Sequence, residues 1–545
     1  MTVIATATID APELHELISG ASEYALIDVR EAGVTAVDGS ILHAVSIPLS
    51  VLELKVARLV PRPSTPVIVY DSGDGVRATR AAVRLRDLGF GDVRVLDGGL
   101  AAWAEAGYKV QSGGDHVIGQ AFGEWIEEVY QTPHISVAEF RERQAAGEDI
   151  VLLDSRPIGE FTNHSLPGGT SIPGAELVYR AAEVVSSPDS LVVVNCAGRT
   201  RSILGAQVLI NAGLPNRVVS LEGGTQSWVL EGHELDHGKS VSAPAPEGES
   251  LVAAKEAAQR IATRFGTKHI DAATLERFRA ESEERSLYVL DVRPPEEFVS
   301  GHLPGSLSAP SWDVAPWVFR HVGTHNSRVV LVDDDGVRAT VAASWIEQIG
   351  WAEVYVLDDA LAGTELVDGD VPAQVLGLPT ADATASVTAD ELADLLDDTD
   401  VAILDLASSP DYRAGHIRSA RFAIRARLAE SGVELPGSGT IVLTSPDGII
   451  ARFAAVEVAA VTDRPVVVLD GGTAAWTASG RDLDADDAVW FHEADDVVAS
   501  GWRETDPELR KQGFRNYLSW ELGLVAELAA DDTVPFRAFE PGAGS

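Results

Sequence analysis

A fourfold internal repeat limits the fold of this chain more than any other feature of its sequence. Three copies of one segment share a Gly-Gly pair and a later Trp: VRVLDGGLAAW at 93–103, VVSLEGGTQSW at 218–228 and VVVLDGGTAAW at 466–476. A degraded fourth copy reads VYVLDDALAG at 354–363. Because similar segments that return along a chain are the signature of repeated structural units, the chain is expected to fold as four similar domains.

Each unit shows the same order of elements. After a helix-like stretch, a buried strand ends in an aspartate; a loop, a second strand, a further loop, a helix and a last strand follow. The four aspartates are Asp28, Asp154, Asp291 and Asp405. Short apolar strands that alternate with helical patterns predict a parallel sheet covered by helices on both faces. The predicted fold class is α/β, with four tandem modules, each a parallel sheet flanked by helices, and a C-terminal helical tail.

The segments between the copies set the predicted boundaries. Residues 111–120 are Gly-rich and polar, and residues 236–250 are rich in Ser, Pro and Gly, so the second stretch is expected to be the most flexible joint, between two halves of two units each. Apolar spacing over 514–530 indicates a helix in the tail. The predicted units are module 1 (1–112), module 2 (125–236), module 3 (262–375), module 4 (384–487) and a C-terminal extension (488–545).

Composition narrows the possible partners and location. The chain carries 42 basic and 83 acidic residues, a net charge of −41, so binding to nucleic acid or to an anionic membrane is not expected. The sequence shows no signal peptide, and no apolar run reaches the roughly 20 residues that span a bilayer. A single cysteine among 545 residues forms no internal disulfide, which favours a cytoplasmic location.

That cysteine, Cys196, lies in the segment VVVNCAGRTRSILGAQVL at 192–209. A buried strand precedes it, and a helix that ends at Gly213 follows the loop. Unpaired backbone amides and the helix dipole in such a loop bind anions. Together with Arg199 and Arg201 they are expected to favour the thiolate and make Cys196 a strong nucleophile. The alternative is that Cys196 is a small buried apolar residue.

The combined motifs resemble the rhodanese (sulfurtransferase) family. The segments DSRPIGEF, HSLPGGTSIP, CAGRTRS and LEGGTQSW of module 2 carry the resemblance, and DVRPPEEFVSGHLPGSLSAP of module 3 is similar to the upstream pattern of the family. The likeness covers roughly residues 5–485. It implies that the cysteine takes the outer sulfur of thiosulfate or a similar donor, forms a persulfide and passes that sulfur to a thiophilic acceptor such as cyanide or a thiol.

The resemblance suggests a role for each residue of the loop. Cys196 is the expected nucleophile, and the loop amides are expected to stabilise its thiolate and persulfide. Arg199 and Arg201 are expected to hold the sulfonate of the donor, because guanidinium groups form strong paired bonds with oxyanions. The expected substrate-binding residues are Arg199, Arg201, Ala197, Gly198, Thr200 and Ser202. Asp154 and Arg156 recur in modules that lack a cysteine, which favours a scaffold role.

Modules 1, 3 and 4 lack the nucleophile. At the place of Cys196, module 1 has Asp71, with a possible shift of one residue; module 3 has Val332 or Asp333, and module 4 has Thr444 or Ser445. Since none of these residues can form a persulfide, the three modules are expected to be inactive. Two-module members of the family commonly pair an inactive N-terminal module with an active one, which is the order of modules 1 and 2.

Two other functions fit parts of the sequence. Related phosphatases and arsenate reductases use C-x5-R, whereas Cys196 and Arg201 form C-x4-R, a shorter loop that favours the smaller sulfur. The array could also be a scaffold that delivers persulfide sulfur to a protein partner. A thiol or thioredoxin-like acceptor is possible in either sulfur-transfer interpretation. One cysteine and scattered histidines exclude a zinc cluster, and no cofactor or metal is expected.

Overall fold

Four parallel β-sheets, one from each repeat, follow one another along the chain. The computed structural model describes residues 6–114, 117–396, 400–430, 434 and 436–540. Each sheet is flanked by helices, and a long helix follows the fourth sheet, so the predicted α/β class with four tandem modules and a helical tail is confirmed. None of the helices in the described part of the chain has the length and apolar character needed to cross a membrane.

The strands are short and almost entirely apolar, as expected for sheets buried on both faces. They are β1 Thr8–Ile9, β2 Ala25–Asp28, β3 Val45–Ser46, β4 Val67–Tyr70 and β5 Val93–Leu96 in module 1; β6 His134–Ile135, β7 Ile150–Asp154, β8 Thr170–Ser171, β9 Leu191–Asn195 and β10 Val218–Leu221 in module 2; β11 Lys268–Ile270, β12 Leu287–Asp291, β13 Leu307–Ser308, β14 Arg328–Val332 and β15 Glu353–Leu357 in module 3; β16 Ala385–Val387, β17 Ala402–Asp405, β18 Arg421–Phe422, β19 Ile441–Thr444 and β20 Val466–Leu469 in module 4; and β21 Val489–Trp490 in the extension.

The helices cover both faces of each sheet. They are α1 Ala11–Ser19, α2 Ala32–Asp38, α3 Leu52–Leu59, α4 Val76–Asp87 and α5 Gly99–Glu105; α6 Val117–Tyr130; α7 Val137–Ala145, α8 Ile158–Asn163, α9 Glu176–Val184, α10 Thr200–Asn211 and α11 Gly224–Leu230; α12 Gly248–Phe265; α13 Ala272–Ala280, α14 Pro295–Ser300, α15 Ser311–Val314 and α16 Val337–Ile349; α17 Ala389–Leu395, α18 Ser409–Ala414, α19 Arg425–Leu428, α20 Ile449–Ala459 and α21 Gly472–Ala478; and α22 Pro507–Leu528. Short 3-10 turns lie at Leu49–Val51, Val318–Arg320, Ala381–Ala383 and Gly501–Arg503.

All four sheets share one strand order, which in module 1 is β1-β5-β4-β2-β3. The strand before the loop of interest, β9 in module 2, therefore lies in the middle of its sheet, between β10 and β7. A central strand of a parallel sheet is fixed on both edges by hydrogen bonds, so the loop at its carboxyl end starts from a rigid position. The following helix, α10, ends at Asn211, and Gly213 behind it has a φ of +77°, as predicted for a residue that terminates a helix.

The segments between modules are more structured than predicted. Helix α6 begins at Val117, inside the predicted linker, because its apolar residues Val117 and Ile118 are buried. The predicted flexible joint packs on module 2, where Val241 accepts a hydrogen bond from the Ser171 amide at 2.9 Å and the buried Ala243 accepts one from Arg180 at 3.0 Å. Helix α12 then packs against α9 and α16, and so connects modules 2 and 3.

Contacts also cross between the predicted halves of the chain. Arg425 of module 4 pairs with Glu53 of module 1 at 2.7 Å, and both side chains are buried. The Tyr288 hydroxyl of module 3 donates a hydrogen bond to the Leu59 carbonyl of module 1 at 2.6 Å. The four modules therefore share interfaces beyond those between chain neighbours.

The C-terminal extension runs across several modules. Strand β21 pairs in parallel with β18 and adds a sixth strand to the module 4 sheet. Helix α22 begins seven residues before the predicted helical stretch, because Asp506 accepts hydrogen bonds from the amides of Glu508 and Leu509 and Pro507 occupies the first turn. This helix packs against α6 and α11 of the second module region, which places it near the end of β9.

Candidate active site

Strand register identifies the residue that matches Cys196 in each module. Asp28, Asp154, Asp291 and Asp405 pair with Tyr70, Asn195, Val332 and Thr444 respectively. The next residue in each chain is Asp71, Cys196, Asp333 or Ser445. The register thus resolves the one-residue ambiguity of the sequence comparison in favour of Asp71, Asp333 and Ser445.

In modules 1 and 3 an aspartate side chain occupies the loop. The Asp71 carboxylate accepts hydrogen bonds from the amides of Gly73, Gly75 and Ala78 at 3.0 to 3.1 Å. The Asp333 carboxylate accepts them from Gly336 at 2.7 Å and Ala339 at 3.0 Å. In both modules several backbone N–H groups therefore converge on one carboxylate. Burial raises the pKa of Asp333 to about 6, and the hydrogen bonds from Ala339 and Gly336 act in the opposite direction, so the loop amides favour the charged form.

Cys196 takes the same place in module 2 and is 2% exposed. Its thiol donates a hydrogen bond to the Ser202 hydroxyl at 3.6 Å, and that hydroxyl donates to the Arg199 carbonyl at 2.8 Å. Burial raises the pKa of the Cys196 thiol, although Arg201 and Ser202 act in the opposite direction. The expectation that this loop favours the thiolate is therefore not met in the resting structure, because removal from water opposes the charge more than the loop stabilises it.

Arg199 is directed away from Cys196 into an ion-pair cluster. Its guanidinium donates to both oxygens of Glu124, at 2.8 and 2.9 Å, and also bonds to Glu127. Arg199 is 7% exposed and Glu124 is 4% exposed. Since both carboxylates come from α6, this cluster fastens the loop to the helix that precedes module 2.

Arg201 forms a two-bond pair with Glu160, with both distances 2.8 Å. Burial opposes the charge of Glu160, but Arg201 lowers the pKa of this carboxyl below its usual value. The guanidinium also lies over the ring of Trp317 from module 3, 5.5 Å from its centroid. Arg338 and Glu297 repeat the pair in module 3, at 3.0 Å, so the pair also belongs to the architecture of the module.

The Gly-Gly motif closes the loop from the other side. The amides of Thr225 and Gln226 donate to the carbonyls of Cys196 and Ala197 at 2.9 and 3.0 Å. Gly224 has a φ of +48°, and a Cβ at this residue would lie 2.1 Å from the Cys196 carbonyl oxygen. Glycine is therefore required here, which explains why the motif recurs in the repeat.

Two side chains of α22 cover the outer side of the loop. Glu521 accepts hydrogen bonds at Oε1 from the Thr200 hydroxyl at 3.1 Å and from the Tyr517 hydroxyl at 3.0 Å. A Cβ placed on Gly198 would lie 3.0 Å from Glu521 Oε2 and 3.0 Å from Tyr517 Cε1. The C-terminal extension is thus in direct contact with the Cys196 loop.

A cavity of about 880 Å³ that is open to solvent adjoins the loop. Its floor includes Ala197, Arg201 and Gln226, next to Cys196. The extension supplies an aromatic wall, formed by Trp502, Phe514, Tyr517 and Trp520. His164 also lines the cavity and stacks on Trp502 with ring centroids 3.9 Å apart. Burial and the neighbouring Arg156 lower the pKa of His164 to about 4, so this wall is neutral near pH 7.

Asp154 and Arg156 form a buried pair at 2.7 Å behind the loop. Asn195 lies one residue before Cys196, and its side-chain amide donates a hydrogen bond to the Asp154 carboxylate at 2.9 Å. The same pair recurs as Asp28 with Arg30 and as Asp291 with Arg293, both at 2.6 Å. Because two of these three modules carry no cysteine, the geometry fits the scaffold role expected from the sequence.

Comparison with known families accounts for all four repeats. The Rhodanese-like domain family matches residues 10–106, 136–231, 274–364 and 388–479. The chain belongs to the rhodanese family. As a rhodanese, it resembles the solved thiosulfate sulfurtransferase from Pseudomonas aeruginosa, with a TM-score of 0.92, 38% identity, and coverage of 98% of this chain and 100% of that chain.

Curated rhodanese relatives match over shorter stretches. The putative thiosulfate sulfurtransferase SseB of Mycobacterium tuberculosis (strain ATCC 25618 / H37Rv) is 28% identical over 139 residues, 23% of this chain and 47% of that protein, so the chain spans about half of its length. The putative sulfur carrier protein YrkF of Bacillus subtilis (strain 168) is 28% identical over 160 residues, 27% of this chain and 84% of that protein. Together these matches support a rhodanese-type transferase.

Sequence reasoning missed the acidic partners of the loop. Glu124, Glu127 and Glu521 lie outside the family motifs, on helices that precede and follow the repeated units. Glu160 could have been found, because Glu and Arg recur together at 297 and 338 in module 3. Glu521 has no comparable signal, since 321 residues separate it from Thr200.

Proposed function

We propose that this rhodanese transfers sulfane sulfur from thiosulfate, or a similar small anionic donor, through a persulfide on Cys196 to a thiophilic acceptor. One observation carries the proposal: Cys196 replaces an aspartate whose carboxylate, in modules 1 and 3, is held by the loop amides. A loop built to hold an anion at this point is suited to hold a thiolate or a persulfide anion.

The proposed reaction has two steps. The Cys196 thiolate attacks the outer sulfur of thiosulfate, so that a new S–S bond forms while the S–S bond of the donor breaks and its electron pair leaves with sulfite. An acceptor such as cyanide then attacks the outer sulfur of the persulfide. The carbon–sulfur bond forms, the persulfide bond breaks, and its electron pair returns to Cys196 as the thiolate.

Arg201 and the loop backbone are the proposed donor site. Arg201 lies at the cavity floor and acts on the charge of Cys196. We assign donor contacts to Arg201 and to the backbone of Ala197, Gly198, Thr200 and Ser202. The guanidinium of Arg199 is instead bound by Glu124 and Glu127, so we assign Arg199 the role of fixing the loop to α6.

The cavity supports a small-molecule acceptor. Cys196 is 2% exposed, and its loop is covered by α22 and reached through the space lined by Ala197 and Arg201. A protein thiol on a folded partner would need to enter past Trp502 and Tyr517, whereas cyanide or a small thiol fits within about 880 Å³. Modules 1, 3 and 4 are proposed to be inactive, because Asp71, Asp333 and Ser445 cannot carry a persulfide. A cytoplasmic location stays a prediction.

Cys196→Ser is the direct test of this function. The variant is expected to lose thiosulfate:cyanide transfer completely, because serine forms no persulfide. Mass spectrometry of the wild type after thiosulfate alone is expected to show one added sulfur on the peptide that contains Cys196. Turnover by the variant above a few per cent of wild type, or sulfur on another peptide, would overturn the proposal. Hydrolysis of an aryl phosphate by the wild type would favour the phosphatase interpretation instead.

A further inference from the structure

Glu521 of α22 is a buried carboxyl group that the proposed reaction does not use. It is 0% exposed, and its Oε1 accepts two hydrogen bonds, from Thr200 and Tyr517. Its Oε2 is also buried, and no hydrogen-bond partner for this atom is found among the described residues. An unpaired carboxylate oxygen removed from water is costly, so the arrangement favours a neutral carboxyl with its proton on Oε2.

The position of Glu521 ties the extension to the reactive loop. Oε2 lies against Gly198, where an added Cβ would come within 3.0 Å of it. Oε1 holds the side chain of Thr200, the first residue of α10. Glu521 therefore contacts both ends of the stretch 198–200, which lies between Cys196 and Ser202, the residue that accepts the hydrogen bond of the thiol.

We propose that Glu521 is a positioning residue for sulfur transfer: its carboxyl group fixes residues 198–200 of the loop through its contacts with Gly198 and Thr200. This inference rests on the proposed function of Cys196 in sulfur transfer. It gives the C-terminal extension, which lies outside the four repeats, a part in the reaction.

The charged groups around Glu521 support this role. Glu124 acts on it from α6, Arg199 and Cys196 act on it from the loop, and Tyr517 acts on it from its own helix. Arg199 already pairs with Glu124 and Glu127, both on α6. Burial, with a further contribution from Glu124, raises the pKa of Glu521 to about 8. A negative Glu521 in turn raises the pKa of Cys196.

Two substitutions at position 521 separate the effects of shape and charge. Glu521→Gln keeps the size of the side chain and an oxygen that can accept from Thr200 and Tyr517, but it cannot ionise. Glu521→Ala removes the contacts with the loop. Glu508→Gln removes a carboxylate from the exposed first turn of the same helix, where Glu508 pairs with Lys511 at 3.3 Å, and is the matched control.

The first measurement is the rate of Cys196 alkylation by iodoacetamide between pH 6.5 and 9.5. It is read on the only cysteine of the chain and needs no sulfur donor. Near pH 6.5, wild type and Glu521→Gln are expected to react alike, because the side chain at position 521 is then uncharged in both proteins. At pH 9 the variant is expected to react about 3- to 10-fold faster, since its Cys196 no longer faces a second negative charge. Glu508→Gln is expected to follow the wild type.

The second measurement is kcat/KM for thiosulfate near pH 7. Glu521→Ala is expected to lose about 5- to 30-fold, the equivalent of one or two lost hydrogen bonds, and Glu521→Gln is expected to restore most of that loss. Identical pH profiles of wild type and Glu521→Gln, or full activity of Glu521→Ala, would overturn the inference. Failure of the proposed function would appear separately, as sulfur transfer by the Cys196→Ser variant. The alkylation profiles would still test the role of Glu521 in that case.

Discussion

Asp71 in module 1 and Cys196 in module 2 occupy one position of the repeated fold. Each follows the strand residue that pairs with the buried aspartate, Asp28 or Asp154. The carbonyl of each accepts a hydrogen bond at 2.9 Å from the helix after the Gly-Gly motif, through Leu100 in module 1 and Thr225 in module 2. The difference between the two loops is thus the side chain: a carboxylate held by the loop amides in module 1, and a thiol bonded to Ser202 in module 2.

This relationship predicts the behaviour of Cys196→Asp. The new carboxylate is expected to accept hydrogen bonds from the loop amides, as the Asp333 carboxylate does. The variant should therefore fold, with a Tm within a few degrees of that of Cys196→Ser, and it should transfer no sulfur. Circular dichroism and thermal unfolding measure the first expectation, and the thiosulfate:cyanide assay measures the second. If Cys196→Asp is unfolded while Cys196→Ser is folded, the loop of module 2 differs from its counterparts in modules 1 and 3.

The two loop arginines are expected to respond differently to removal. Arg201→Ala should lower kcat/KM for thiosulfate by about 10- to 150-fold, the equivalent of one charge-assisted hydrogen bond of about 1.5–3 kcal/mol, and should raise the pKa of Cys196. Steady-state kinetics and alkylation against pH measure both effects. A neutral donor should be affected less, and equal losses with both donors would argue against a sulfonate contact.

Arg199→Ala is expected to act mainly on stability. Its loss leaves the buried Glu124, and Glu127 beside it, without their cation. Breaking such a buried pair costs about 3–5 kcal/mol, which urea unfolding can measure. Glu160→Gln, at a more exposed ion pair, is the comparison. Wild-type stability of Arg199→Ala together with a large increase in KM for thiosulfate would instead assign Arg199 to the donor.

A persulfide intermediate predicts ping-pong kinetics. Since sulfite leaves before the acceptor reacts, double-reciprocal plots at several acceptor concentrations are expected to be parallel. Initial rates with varied thiosulfate and cyanide provide the measurement. Lines that intersect would indicate a ternary complex in which donor and acceptor are bound together.

The interface between modules 1 and 3 is expected to weaken in acid. His325 is buried between the modules, bonds to the His43 carbonyl at 2.8 Å and stacks on Tyr24. Burial lowers its pKa well below 6.5, and burial also lowers the pKa of His43. Because the unfolded chain binds these protons more readily, their contribution to stability is complete above pH 6.5 and falls as the pH drops below it, by up to about 1.4 kcal/mol per histidine and pH unit.

Unfolding free energies between pH 7.5 and 5 test this expectation. His325→Gln is expected to be less stable than wild type at pH 7.5 but to lose less stability on acidification. His233→Gln, at a partly exposed position of module 2, is the control and should keep the wild-type slope. An unchanged slope in His325→Gln would show that other groups cause the acid sensitivity.

The repeat made the fold predictable. Strands that end at Asp28, Asp154, Asp291 and Asp405 and glycines such as Gly224 are local signals, because each reflects a backbone position that the fold fixes. The loop after β9 and the helix end at Gly213 were predictable for the same reason. The one-residue choice between Val332 and Asp333 was not, since only hydrogen bonding between β12 and β14 sets that register.

The surroundings of Cys196 were less predictable than its position. The sequence shows two arginines beside the thiol, but it does not show that Glu124 binds one and Glu160 the other. It also does not show that the thiol is buried, which reverses the expected direction of its pKa shift. Glu124 lies on α6, a helix that was not predicted from the sequence, and the cover over the loop comes from α22. The apolar spacing over 514–530 indicates that α22 forms but not what it packs against.

The order of the chain has a consequence for its synthesis. Glu521 covers a loop that was made 321 residues earlier. At translation rates of about 5–20 residues per second, the interval is roughly 16 to 64 s. Module 2 therefore emerges long before α22 exists, and during that interval its residues Gly198 and Thr200 lack the Glu521 and Tyr517 side chains that cover them in the full chain.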